Sequence, residues 1–96
     1  MRKVTEKAVD ALMGGYEMRC GNTEVKNKAM YLFGNRIAWY ENGQLYIQAV
    51  FESFKRISNT TRERLNGLPN VSVYQMNKQV YLNGKPWDGK PTAINL

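Results

Sequence analysis

Apolar residues recur at helical spacing in residues 4–15, which predicts a first helix. We expect Thr5 to be its N-cap, with Val4 and Val9 forming a hydrophobic staple around that cap. The pair Gly14-Gly15 is suited to the left-handed conformation that ends many helices. The segment therefore predicts a short amphipathic helix that needs a sheet to pack against.

Beyond Tyr16 the pattern changes to alternation of apolar and polar residues, which predicts antiparallel strands. Asn42-Gly43 is the strongest two-residue hairpin signal, and Gly34-Asn35 marks a second turn. The segment around 23–28 looks extended but is weakly specified. We expect a meander of three long strands with one additional strand before it. The predicted strands are residues 16–20, 30–33, 37–40 and 45–51.

A second helix is punctuated at both ends. Thr60 and Glu63 have the spacing of a capping box, which predicts Thr60 as the N-cap. Gly67 can close this helix, and Pro69 prevents its continuation. A short helix is therefore expected between the meander and the C-terminal residues.

The C-terminal part is predicted to form a β-hairpin from residues 71–75 and 79–82, followed by a loose tail at about 90–96. We find no internal repeat and no linker. The pattern predicts a single small α+β domain over residues 1–96, with an N-terminal helix, an antiparallel β-meander, a short second helix and a C-terminal β-hairpin. Its expected core consists of Val9, Leu12, Leu32, Ile37, Trp39, Leu45, Ile47, Leu65, Val73 and Leu82.

Size and composition fit one modest hydrophobic core, since 43% of the 96 residues are hydrophobic. No apolar stretch approaches the roughly 18–20 residues that a membrane span needs. The N-terminal residues soon meet Glu6 and Lys7, so we expect no secretory signal, no membrane contact and a location in the host cytosol. Cys20 is the single cysteine, which agrees with a reducing compartment, and we expect it to be a small buried hydrophobe.

The residue types disfavour enzyme chemistry. The chain has no histidine, the commonest general base near neutral pH, and a single cysteine cannot build a thiolate zinc site. Acidic residues lie on separate segments with no pairing motif, and no phosphate-binding loop motif is present. We expect a binding protein that is not an enzyme, with no cofactor and no metal.

Positive charge is concentrated in the second half of the chain. Residues 1–54 carry seven Lys/Arg against six Asp/Glu, whereas residues 55–96 carry seven against two. Such a field attracts polyanions, either nucleic acid or an acidic protein face. Hydroxyl and guanidinium groups near a helix N-terminus can bind phosphate or carboxylate, and the alternative is a solvated helix whose charges serve solubility. The candidate binding residues are Lys55, Arg56, Ser58, Thr60, Thr61, Arg62 and Arg64.

Four tyrosines form a second candidate site: Tyr40, Tyr46, Tyr74 and Tyr81 alternate with apolar neighbours. A sheet face that carries aromatic and basic residues can stack single-stranded bases, and tyrosine is also enriched in protein–protein hot spots. The alternative is that the helices cover both sheet faces. We assign Trp39 to the core and Trp87 to a contact at the hairpin edge.

Several blocks of the chain together resemble a family of short, mostly uncharacterised proteins of tailed phages and prophages. The resemblance implies a phage setting, in which small accessory proteins commonly bind and disable host machinery; it implies no catalytic or binding residue. The blocks are Asn22-Thr23-x-Val25, Leu32-Phe33-Gly34-Asn35-Arg36-Ile37-Ala38, residues 60–68 and residues 81–89.

Two functions remain open from the sequence. In the first, the protein contacts nucleic acid, or a host complex that handles nucleic acid, through the basic segment 55–64, helped by Lys78, Lys85 and Lys90. In the second, it inhibits a host protein or defence complex by occlusion, and its charge meets an acidic face. No motif discriminates between them, and none indicates an oligomeric state.

Overall fold

A computed structural model describes residues 2–51 and 56–95 of the chain. It confirms the α+β class, with an N-terminal helix, an antiparallel meander, a short second helix and further strands. The helices are α1 (Lys3–Gly14) and α2 (Asn59–Asn66). The strands are β1 (Met18–Cys20), β2 (Thr23–Lys26), β3 (Ala29–Leu32), β4 (Asn35–Glu41), β5 (Gln44–Ile47), β6 (Val73–Met76), β7 (Gln79–Leu82), β8 (Lys85–Pro86) and β9 (Thr92–Ile94). Neither helix is long and apolar enough to cross a membrane within these residues.

The strands form two antiparallel sheets. A six-stranded sheet has the order β1-β2-β3-β4-β5-β9, and a small sheet has the order β6-β7-β8. Helix α1 packs on β1, β2 and β3, while α2 contacts α1, β4 and β6. Buried residues of both sheets and both helices join in one hydrophobic cluster, so the helices and the small sheet share a core against one face of the larger sheet.

The last residues are not the loose tail that the sequence predicted. Strand β9 pairs with β5, and Ile94 lies opposite Leu45 with only 2% of its surface exposed. Burial of the Ile94 side chain against the core face of the sheet stabilises this segment as a strand. Cys20 also differs from expectation, because it is exposed on the edge strand β1.

Two-residue turns with positive φ at both positions connect the consecutive strands from β2 to β5. Asn42-Gly43 has φ values of 53° and 76°, as a type I′ turn requires, and this confirms the two-residue hairpin that the sequence predicted. Asn27-Lys28 forms another such turn, with φ values of 52° and 61°. This second turn makes residues 23–26 a regular strand, although lysine is a rare choice in the left-handed region and gave no turn signal.

The chain contains an internal repeat, contrary to the sequence-based expectation. The unit β2–β3–β4 recurs 50 residues later as β6–β7–β8, with the same register: Tyr31 lies opposite Arg36, and Tyr81 lies opposite Pro86. In both units an Asn-Lys turn of positive φ joins the first two strands. The residues shared at equivalent positions are Asn27-Lys28, Tyr31-Leu32 and Gly34, matched by Asn77-Lys78, Tyr81-Leu82 and Gly84.

A β-bulge decides which side chains of β4 enter the core. The register between β3 and β4 shifts at Met30/Tyr31, so Ile37 is an extra residue between the pairs formed by Ala38 and Arg36. Ile37 and Ala38 both belong to the core cluster. Trp39 then points to the opposite face of the sheet, where only 6% of its surface is exposed. Trp39 is therefore buried, as predicted for a core residue, but on the opposite face of the sheet from the main hydrophobic cluster.

The other core assignments agree with the structure except at Val9, which is half-buried. Trp87 is 6% exposed and belongs to the core cluster rather than to a hairpin edge. Helix α1 begins at Lys3, one turn earlier than predicted, with Arg2 as an N-cap that makes no side-chain hydrogen bond. Gly15 ends this helix in the left-handed conformation, as expected, with φ of 78°.

The N-cap of α2 is Ser58, not Thr60. The Ser58 hydroxyl accepts a hydrogen bond of 3.0 Å from the Thr61 backbone N–H, and the helix begins at Asn59. Thr60 therefore lies inside the first turn, and Glu63 does not complete a capping box. Ser58, two positions before Thr60, is the N-cap because its backbone is extended, with φ of −65° and ψ of 148°.

Ser58→Ala is expected to destabilise the protein by about 0.5–2 kcal/mol, because the Thr61 N–H loses its acceptor. Chemical denaturation of the purified variant measures this change. Thr60→Ala is the matched control, since it removes the neighbouring hydroxyl without removing the cap. A larger loss for Thr60→Ala than for Ser58→Ala would contradict this assignment.

Candidate functional site

The hydroxyl groups of the predicted basic site serve the helix. Ser58 caps α2 and also donates from its hydroxyl to Thr61 Oγ1 at 2.8 Å. Ser58, Thr60 and Thr61 are all half-buried. With the Ser58 hydroxyl engaged by the first turn, this helix N-terminus offers fewer free donors to an anion than the sequence indicated.

The three described arginines of the same segment lie in different surroundings. Arg56 is exposed, and Lys55 lies outside the described residues. Arg62 is half-buried and donates from Nη2 to Asn59 Oδ1 at 2.9 Å. It lines a shallow depression with Arg2 and Asn66 at the junction of the two helices.

Arg64 belongs to the core and not to a binding surface. It is 3% exposed, its Nε donates to Thr23 Oγ1 at 3.1 Å, and its Nη1 donates to Thr5 Oγ1 at 2.8 Å. Nη1 also pairs with the Glu63 carboxylate, and the Thr5 hydroxyl donates to the same carboxylate. This network joins α1, β2 and α2 through polar groups that are buried and satisfied.

The Glu63 carboxylate is held in its charged form. Burial raises its pKa, but hydrogen bonds from the Thr5 hydroxyl, the Arg2 backbone N–H and the Arg64 guanidinium outweigh this, so its pKa lies below the usual value. A carboxylate whose pKa is lowered by folding stabilises the protein at pH above its unfolded pKa. That contribution is lost as the pH falls through the lowered folded value.

The face of the six-stranded sheet turned away from the helices, here called the outer face, carries a different set of side chains. No described helix or strand packs on it, since α1 and α2 lie on the core side. By strand register and alternation, its side chains are Arg19, Glu24, Lys26, Ala29, Tyr31, Arg36, Trp39, Glu41, Gln44, Tyr46 and Ala93.

An aromatic stack occupies the centre of the outer face. The rings of Trp39 and Tyr46, which lie opposite each other on β4 and β5, are 5.7 Å apart and 15° from parallel. The Arg36 guanidinium lies 3.9 Å from the centroid of the Trp39 ring. Arg36 is exposed and makes no ion pair with any residue of 2–51 or 56–95.

A second cation and ring lie beside this stack. Lys26 Nζ is 5.4 Å from the centroid of the half-buried Tyr31 ring and 3.7 Å from Glu24 Oε1. Arg19, exposed on β1, is opposite Glu24 in the register. The outer face thus interleaves three rings with three cations and two carboxylates, those of Glu24 and Glu41.

The predicted tyrosine site is only partly confirmed. Tyr46 lies on the outer face, but Tyr40 lies on the core side, packs against the hydrophobic cluster and donates from its hydroxyl to Met13 Sδ at 3.0 Å. Tyr74 and Tyr81 form a separate stacked pair on the small sheet, with centroids 5.2 Å apart. The four tyrosines therefore do not share one surface.

Sequence reasoning did not identify Arg36, Trp39, Tyr31 and Lys26 as members of one site. Strand alternation places Trp39 with Ile37, and only the bulge separates them. The Asn27-Lys28 turn, which would have brought Lys26 beside Tyr31, was not recognised because of its lysine. An Asn-Lys dipeptide between two apolar alternations is the signal that, in retrospect, marks both repeat units.

Comparison with known proteins places the chain in one family. The family model described as Kyanoviridae Gp96 protein matches residues 1–93. No curated protein matches the chain, and no solved structure does. The match agrees with the phage setting that the sequence blocks indicated. The chain therefore belongs to the Kyanoviridae Gp96 family of phage proteins.

Proposed function

We propose that this protein is a non-enzymatic phage protein that binds single-stranded nucleic acid through its outer face. The observation that carries the proposal is the stack of Arg36, Trp39 and Tyr46 on a sheet face that no described element covers. Proteins that bind single strands combine rings on which bases stack with cations that follow the backbone. Tyr31 and Lys26 extend the same combination toward β2.

The energies of the competing contacts favour binding even though Trp39 is covered. Moving the Arg36 guanidinium off the ring loses a cation–π contact of about 0.5–1 kcal/mol. Stacking a base on an aromatic side chain is worth about 1–3 kcal/mol, and the displaced guanidinium can then meet a phosphate or stack on the base. Paired bases hide their faces inside a duplex, so single strands are the expected substrate.

The basic segment keeps a secondary role in this proposal. Arg56 and Arg62 add to the positive field that draws a polyanion to the protein, whose formal net charge is +6. Arg64 has no part in binding, because its donors are engaged in the core.

The experiment is a fluorescence anisotropy titration of labelled dT12, rU12 and a DNA duplex over about 50–200 mM salt. Single strands are expected to bind more tightly than the duplex. Arg36→Gln should weaken binding and flatten the log–log salt slope by about 0.7, the value for one phosphate contact to a single strand.

The matched control is Lys7→Gln, which removes the same charge from an exposed residue of α1. It should leave single-strand affinity close to that of the wild type. The proposal is wrong if the wild-type protein binds no single strand at about 50 mM salt, or if Lys7→Gln weakens binding as much as Arg36→Gln does.

A second candidate function is occlusion of a host protein or defence complex, and a different surface favours it. Tyr74 and Met76 on β6 are 38% and 53% exposed, and Tyr74 stacks on Tyr81 beside the exposed Pro86. Exposed aromatic and methionine side chains of this kind are enriched in protein–protein interfaces. Tyr74→Ser would then abolish binding to one host protein and leave oligonucleotide binding unchanged.

A further inference from the structure

A concave site lies where the outer face meets the turn between β3 and β4. Its volume is about 250 Å³, and its lining includes Arg19, Asn22, Glu24, Tyr31 and Phe33. The lining combines two aromatic rings with a guanidinium, a carboxylate and an amide. Rings for stacking and groups of both hydrogen-bonding kinds are what an unpaired nucleobase needs for specific recognition.

The backbone conformation and the exposure at position 33 are both unfavourable for phenylalanine. Its φ is 51°, in the left-handed region that bulky side chains rarely adopt, and its side chain is 68% exposed. The equivalent residue of the second repeat unit is Asn83, with the same φ of 51°. Asn83 accepts from Ser72 N at 2.8 Å and donates to Asn70 O at 3.0 Å.

The two repeat units carry different residues at this turn, asparagine in one and phenylalanine in the other. Asparagine suits the conformation and closes the turn with two hydrogen bonds, whereas phenylalanine is unfavourable there and leaves an exposed ring. An exposed ring at a position where both costs apply points to contact with a ligand. Phe33 and Tyr31 line the same cavity, so that ligand reaches the outer face.

The polar groups of the cavity are arranged in one row across the sheet. Arg19 lies opposite Glu24 on β2, and Glu24 lies opposite Tyr31 on β3. Arg19 makes no ion pair with any residue that the structure describes. Asn22 Oδ1 accepts from the Thr23 hydroxyl at 3.1 Å.

We infer that this cavity binds an unpaired guanine, an inference that rests on the proposed function. Guanine presents two adjacent acceptors, O6 and N7, which match the forked donors of Arg19. Its N1–H and exocyclic amino group are donors that match the Glu24 carboxylate. Adenine presents an amino donor without an adjacent pair of acceptors. Cytosine has adjacent acceptors, O2 and N3, but no ring N–H donor beside its amino group, and thymine has no exocyclic amino group. Phe33 and Tyr31 supply the rings on which the base stacks.

The test compares labelled hexadeoxynucleotides that contain a single guanine, adenine or cytosine within thymines with the all-thymine hexamer, in anisotropy titrations at fixed salt. The wild-type protein is expected to bind the guanine hexamer about 5-fold or more tighter than the others, the discrimination that one bidentate base contact provides. Arg19→Gln should remove this preference, so that the guanine hexamer binds no more tightly than the all-thymine hexamer does.

Phe33→Asn transfers the residue of the second repeat unit to the first. It should weaken binding of the guanine hexamer about 5-fold or more, while the thermal midpoint stays the same or rises. The thermal midpoint distinguishes a lost ligand contact from a damaged fold. Arg19→Gln lies on the exposed edge strand β1 and tests the site without changing the turn between β3 and β4.

The possible outcomes separate this inference from the proposed function. If the wild-type protein binds all hexamers equally, the guanine site is wrong and the proposed function stands. If Phe33→Asn binds the guanine hexamer as the wild type does, Phe33 is not part of the site. A wild-type protein that binds none of the hexamers overturns the proposed function and this inference with it.

Discussion

Replacing Arg64 with alanine is expected to destabilise the fold by about 3–5 kcal/mol, the usual effect of removing one partner from a buried ion pair. The guanidinium is 3% exposed and is the donor that joins Thr5 on α1, Thr23 on β2 and Glu63 on α2. Without it, the Glu63 carboxylate loses its counterion, and the Thr23 hydroxyl loses a hydrogen bond that water cannot easily replace at 0% exposure. Thermal denaturation measures the loss, at about 4–8 °C per kcal/mol for a domain of this size.

Arg62→Ala is the matched control for this variant. It removes the same side chain two residues earlier, where the guanidinium is half-buried and bonds only to Asn59 among the described residues. Its effect should stay within about 0.5 kcal/mol. Equal melting temperatures for the two variants would show that the buried network contributes nothing to stability.

Gly89→Ala is the second substitution with a large expected effect, about 2–5 kcal/mol. Gly89 has φ of 87°, and a β-carbon there would overlap the Ala49 carbonyl oxygen and press on the Phe51 ring. The same backbone contact includes a hydrogen bond of 3.0 Å from Ala49 N to Gly89 O. Both the left-handed conformation and the lack of space therefore oppose any side chain.

Gly84→Ala separates these two causes. Gly84 has nearly the same φ, 85°, but a β-carbon there would meet nothing within 4 Å. Its cost should be confined to the conformational part, about 1–2 kcal/mol. Chemical denaturation of both variants gives the comparison, and a Gly89 variant no less stable than the Gly84 variant would refute the close approach.

The elements that could be predicted from the sequence are those set by local rules. The Asn42-Gly43 turn, the left-handed end of α1 at Gly15 and most of the core follow from spacing and turn chemistry alone. The N-cap of α2 was misplaced because Ser58 and Thr60 are both good caps, and the choice depends on where the chain enters the helix.

The features that could not be predicted depend on contacts between distant residues. Arg64 looks like a surface charge in a basic segment, and only its partners Thr5 and Thr23, 59 and 41 positions away, explain its burial. Trp39 lies outside the main hydrophobic cluster because of one extra residue in β4, and alternation carries no signal for a bulge. The outer face, and the candidate site on it, therefore could not be predicted from the sequence.

Strand β9 protects an edge that would otherwise favour aggregation. Until β9 pairs with it, β5 presents free N–H and C=O groups beside the apolar side chains of Leu45 and Ile47, which makes it a template for pairing with other chains. Because β9 follows β5 in the chain, β5 leaves the ribosome before its partner strand does, and its edge stays unpaired during that interval. Pairing with β9 then closes this edge of the nascent sheet.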